Sequence, residues 1–124
     1  MTLTEHFETF HAENPHVYET LVTLTRRWVQ GTGRRCAIDM LFNVARWEIG
    51  IQTNDAEYKL NDHHRAFYSR LIMYQEPDLE EAFEIRTSEA DQWLEDWIRR
   101  HPRQRRSPYQ EMLDRLRRRQ NGNQ

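Results

Sequence analysis

Residues 67–74, FYSRLIMY, constrain the fold more than any other stretch of the chain. Read as a helix they are apolar on almost every side, and the polar edge is confined to Arg65–Ser69. A helix with that pattern has to be surrounded by other elements, so the rest of the chain must supply amphipathic neighbours. Asn61 or Asp62 is placed to cap this central helix, which should run to Gln75, and Pro77 ends it.

The neighbours are legible as helices. Thr4 is placed to cap a short first helix carrying Phe7 and Phe10. Asn14 followed by Pro15 is an N-cap with proline at the first helical position, and Val17, Leu21, Leu24 and Trp28 recur on one face behind it. Gly31-Thr32-Gly33 should stop that helix. A segment over about 34–48 follows, with Ile38, Leu41, Phe42 and Ala45 on one face and Asp39, Asn43 and Arg46 opposite; Gly50 is its expected stop. The two read as an antiparallel helical hairpin. Residues 50–60 lose the helical period and leave room for a short β-hairpin or wing. Pro77 should open a helix over 78–86 with Leu79, Phe83 and Ile85 inward. Ser88 with Asp91 forms a capping box leading Ala90, Trp93, Leu94, Trp97 and Ile98, and Glu95→Arg99 and Asp96→Arg100 are favourable pairs four apart. The expected fold is therefore all-α, a compact bundle of five to six helices.

Composition agrees with one such domain. The 124 residues are 37% apolar and 31% charged, with only four glycines and four prolines, so a β-rich or disordered chain is not expected. Residues 1–100 are read as a single helical domain. His101-Pro102 breaks the last core helix, and residues 101–124 are read as a basic linker, a short amphipathic helix opened by Pro108, and a disordered end. Tyr109, Met112, Leu113 and Leu116 form that helix's apolar stripe, with Glu111→Arg115 and Asp114→Arg118 bracing its surface. At roughly 12 residues it would be marginal alone and needs a surface to pack on.

Charge is strongly segregated. Residues 1–98 carry 9 basic and 18 acidic side chains, whereas residues 99–124 carry 9 basic and 2 acidic ones. The nine are Arg99, Arg100, Arg103, Arg105, Arg106, Arg115, Arg117, Arg118 and Arg119, and they are the candidate phosphate contacts for DNA or RNA. Base-reading groups are scarce beside them, so non-specific contact is expected. The same arginines also suit helix C-termini and can fold back on the acidic body. A second candidate is a protein-binding surface made of Trp93, Trp97, Tyr109, Met112, Leu113 and Leu116, for a protein partner or for a homodimer. For Trp93 and Trp97 the competing reading is that both rings simply cover the core.

Other chemistries are not called for. His6, His11, His16, His63, His64 and His101 show no ligand spacing, and no metal or cofactor is expected; His63 is read as resting on the core. Cys36 is read as a small packing residue. No nucleophile elbow, P-loop or glycine-rich dinucleotide turn is present, and Glu80, Glu81 and Glu84 read as a solvated face, so an enzyme is not expected. The N-terminus has neither a basic nor an apolar leader region, no membrane span is visible, and a cytoplasmic location is expected.

Residues 43–50, NVARWEIG, and 58–86, YKLNDHHRAFYSRLIMYQEPDLEEAFEIR, resemble small uncharacterised bacteriophage and prophage proteins. The resemblance rests on Arg46-Trp47, Lys59-Leu60-Asn61, Tyr68-Ser69-Arg70, Pro77 and Phe83–Arg86. It covers about a third of the chain, excludes the basic end, and implies a phage origin with a gene-regulatory or host-interaction role rather than an activity. Arg46, Lys59, Asn61, Arg70 and Arg86 are either an internal polar network that fixes the helices or part of an exposed surface.

Overall fold

In the computed structural model, which describes residues 2–53, 60, 62–102, 112 and 115–119, every regular element among the described residues is helical. Helix α1 spans Leu3–Glu13, α2 Pro15–Thr32, α3 Ile38–Thr53, α4 Arg65–Gln75 and α5 Glu89–Arg100. Short 3₁₀ turns at Asp62–His64 and Pro77–Leu79 flank α4. Helix α4 is the centre, packed by α2, α3 and α5, and α2 with α3 forms the expected hairpin. The six consecutive residues Phe67 to Ile72 are all buried, as a helix enclosed on every side requires.

Enclosure on that scale captures polar groups, and Ser69 and Arg70 are held there by hydrogen bonds. Ser69 Oγ donates to the Ala66 carbonyl. Arg70 donates through Nε to Asp91 Oδ1 and through its two terminal nitrogens to the Ala66 and Arg86 carbonyls. An unpaired guanidinium there would cost several kcal/mol, roughly 3 to 5 by comparison with other broken buried pairs; bonded, it ties α4 to the start of α5. Arg46 plays the same part on α3, donating to the Leu60 carbonyl, to Asn43 and to Asp62. For Arg46 and Arg70 the internal-network reading is therefore the one realised. Lys59 and Asn61 lie outside the described residues.

Phe7 joins α1 to this centre. Its ring centroid lies 5.0 Å from Phe67, 4.8 Å from Tyr68 and 5.0 Å from Trp93, stacked on the first and edge-on to the other two. Aromatic pairs in these geometries are worth about 0.5 to 1.5 kcal/mol each beyond their buried area. Trp93 continues the series to Trp97, and Trp97 stacks on His101 at 3.8 Å, so the body reaches one residue past α5.

Several boundaries differ from expectation, each for a local reason. Thr2, not Thr4, caps α1, in a reciprocal capping box with Glu5. Asn14 makes no side-chain cap for α2; its amide instead donates to the Phe10 carbonyl and closes α1. Helix α2 runs through Gly31 and stops at Gly33, whose φ of 67° only glycine adopts readily. Helix α3 starts at Ile38, passes Gly50 and ends at Thr53, so the first residues of the expected wing are helical; residues 54–59 lie outside the described set. The helix expected over 78–86 is absent. Its backbone carbonyls have tertiary partners, Ala82 accepting from the Cys36 N–H and Arg86 from Arg70. Leu79 and Phe83 are buried as expected, but Ile85 is exposed. Finally, His64 rather than His63 faces the core, because the 3₁₀ turn shifts the angular phase by one residue.

Candidate functional site

The described arginines from Arg99 onward fall into two sets. Arg100 is held by carboxylates: its terminal nitrogen reaches Glu8 on α1, its Nε lies 2.7 Å from Asp96 Oδ2, and its guanidinium sits 5.9 Å over Trp97. The hydrogen bond to Glu8, with that to Asp96, raises its pKa further above the ordinary arginine value. Arg100 is a strap between α1 and α5. Arg99 lies 3.8 Å from Asp96 rather than beside the expected Glu95. Arg115, Arg117, Arg118 and Arg119 form the other set. They are helical and exposed, and none pairs with a carboxylate among the described residues. Arg103, Arg105, Arg106, Tyr109, Leu113 and the expected partners Glu111 and Asp114 lie outside the described residues.

The apolar candidates separate as well. Trp93 and Trp97 are only 4% and 7% exposed, built into the aromatic series that begins at Phe7. The Trp face proposed for a partner is thus turned inward, and the core reading of the two rings is the one realised. Met112 and Leu116, four apart and both helical, are 43% and 48% exposed.

The largest exposed apolar side chain in the body was not among the sequence candidates. Trp47 is 66% exposed, and Val44 and Met40 precede it on the outer side of α3 at 41% and 36%. Their spacing of four and three is a helical stripe opposite the Leu41, Phe42 and Ala45 face. That second period was available in the sequence. A shallow groove runs beside it, between α2 and α3, lined by Leu24, Trp28, Met40, Val44, Arg27 and Glu48.

The buried titratable groups serve the fold. Glu76 is buried and is held by the Tyr18 hydroxyl and by Arg26, which also engages Asp78. Burial and the Glu76 charge push the Tyr18 hydroxyl well up, so it stays a donor. Burial also raises the Cys36 thiol, away from thiolate reactivity. His64 is fully buried, with Phe10, Phe7 and His6 around it at 5.0, 5.5 and 5.7 Å between ring centroids. Neither of its ring nitrogens has a hydrogen-bond partner among the described residues. Burial, then the charges of His6 and His63, lower its pKa to about 4, so the ring is neutral near pH 7. Among the described residues no three His, Cys, Asp or Glu side chains converge as a metal site, and no helix is long and apolar enough to cross a membrane.

Fold and surface together define an all-α bundle around one enclosed helix, with exposed arginines close to the chain end. No family model, curated protein or solved structure matches the chain.

Proposed function

We propose that the chain is a non-enzymatic, phage-type protein that associates with DNA or RNA through its C-terminal arginines and acts in a regulatory or host-interaction role in the bacterial cytoplasm. The observation that carries this reading is the group Arg115, Arg117, Arg118 and Arg119, exposed within five helical residues and without a carboxylate partner among the described residues. Guanidinium groups so placed suit phosphate oxygens, and the counterions released on contact make such binding salt-dependent. Arg100, braced by Glu8 and Asp96, is dropped from the contact set.

Fluorescence anisotropy with labelled duplex DNA and single-stranded RNA tests the proposal on the full chain. Four phosphate contacts predict that affinity falls about 10²-fold between about 50 and 200 mM salt. Replacing Arg117, Arg118 and Arg119 together by Glu should abolish binding at the lower salt. Binding that survives this triple variant, or no binding to either probe by the intact chain, would refute the assignment.

A further inference from the structure

Helix α1 is docked along a seam rich in imidazoles. It brings His6 and His11; opposite stand His64, in the turn before α4, and His101, one residue past α5. The ring centroids of His6 and His64 lie 5.7 Å apart. His11 lies 5.8 Å from Trp97, which also carries His101 at 3.8 Å. The seam offers a cation little. Both ring nitrogens of His64 and Nδ1 of His11 are buried without a hydrogen-bond partner among the described residues. Beside His64, Asp62 is bonded to Arg46, Arg65 to Asp39 and Arg70 to Asp91, while His6 and His63 bear on it with charge of the same sign. Around His11, α2 presents Tyr18, whose hydroxyl is donated to Glu76, the end of α5 presents His101, and Glu8 on α1 itself is taken by Arg100. Burial first, then these neighbouring histidines, lower the pKa of both His64 and His11.

We propose that α1 is an acid-released flap, which in mild acid undocks as a unit while α2 to α5 stay folded, uncovering the Phe67, Tyr68 and Trp93 rings. Undocking returns His64 and His11 to water, where imidazole takes up its proton near pH 6.5, so each lowering of pH through that range favours the undocked state. The rest of the fold is held independently of the seam. Helix α1 is the first element, and the closest-packed pairs are α2 with α3 and α4 with α5. The bonds of Glu76 to Tyr18 and Arg26, and of Arg70 to Asp91, join the remaining elements to one another and contain no histidine. Local opening of a terminal unit ahead of global unfolding is the behaviour such a division allows.

Hydrogen exchange read by mass spectrometry tests this on the full chain at about pH 7.5, 5.5 and 4.5, after correction for the intrinsic effect of pH on exchange. An 11-residue helix is marginal once undocked, so its amides lose protection as it leaves. From the His64 shift alone, protection within α1 should fall about 10²-fold between pH 7.5 and 4.5, while α2, α4 and α5 keep theirs. His64→Leu should reduce the fall to the share of His11, and His64→Leu with His11→Leu should abolish it. The wild-type pattern and the single variant decide the matter even where the double variant fails to fold. Protection in α1 that does not change with pH, loss from all helices together, or a fall in His64→Leu as steep as in the wild type would overturn the proposal.

Discussion

His64 gives the sharpest energetic forecast. Its imidazole is fully buried against Phe7, Phe10 and His6, and both ring nitrogens are without a partner among the described residues. In the unfolded chain such a group takes up its proton near pH 6.5, whereas in the folded protein it does so near pH 4. The folded value is the lower one, so the unfolded state binds the extra proton throughout the window between them. Stability is therefore full above about pH 6.5, falls as pH drops through the window, and stops falling from this cause below about pH 4. The gap corresponds to a loss of up to about 3 kcal/mol. His11, lowered by burial and by His101, adds to the fall with the same sign. Asp91, lowered first by Arg70, acts only below the ordinary carboxylate range, so its acid loss lies outside this window. Substituting His64→Leu keeps an apolar group of similar size and removes the titration. At pH 7.5 the variant should also gain about 1 to 2 kcal/mol, because no unbonded ring nitrogen is then buried. Urea unfolding at one protein concentration, at pH 7.5, 5.5 and 4.5, measures both effects. A variant whose stability falls between pH 7.5 and 4.5 as steeply as the wild type, or one destabilised at pH 7.5, would refute the reasoning.

Two further outcomes follow from the ion pairs. Tyr18→Phe removes one of the bonds to buried Glu76 and should cost about 1 to 2 kcal/mol, read as a lower urea midpoint with unchanged slope. Arg100→Ala loses pairs that are partly exposed and should cost less than about 1 kcal/mol, while leaving the anisotropy titration with nucleic acid unchanged.

Elements specified by local signals were readable in the sequence, and those specified by distant partners were not. Helix α5 declared itself through Ser88, Asp91 and the Ala90–Trp93–Leu94–Trp97 period, all within ten residues, and α4 declared its central place by being apolar on most sides. Residues 78–86 carry helix-compatible spacing too. There, however, the Ala82 and Arg86 carbonyls are taken by Cys36 and Arg70, which no local pattern announces. The same limit applied to the tryptophans: the stripe was plain, but which side of it faces outward depends on Phe7, more than eighty residues earlier. His64 was displaced from its neighbour by a single 3₁₀ turn. Helix α3 has two apolar periods, Leu41–Phe42–Ala45 and Met40–Val44–Trp47, and spacing alone does not say that the second is the one left exposed. The arginine set was visible as composition. Its division, with Arg100 bound to Glu8 and Arg115–Arg119 left outward, needed the third dimension.

The position of Phe7 also sets an order of events during synthesis. Its ring partners Phe67, Tyr68 and Trp93 leave the ribosome 60 to 86 residues later, whereas α2 and α3 are neighbours in sequence. The α2–α3 hairpin has its contacts almost as soon as it is made. Helix α1 meets α2 early as well, but its Phe7 ring completes its contacts only once α4 and α5 exist, since closing that long loop is rewarded only then. The Phe7 pocket is thus filled late. Until then the exposed Phe7, and the unfilled space among Phe67, Tyr68 and Trp93, are the surfaces on which a chaperone or a second nascent chain would act.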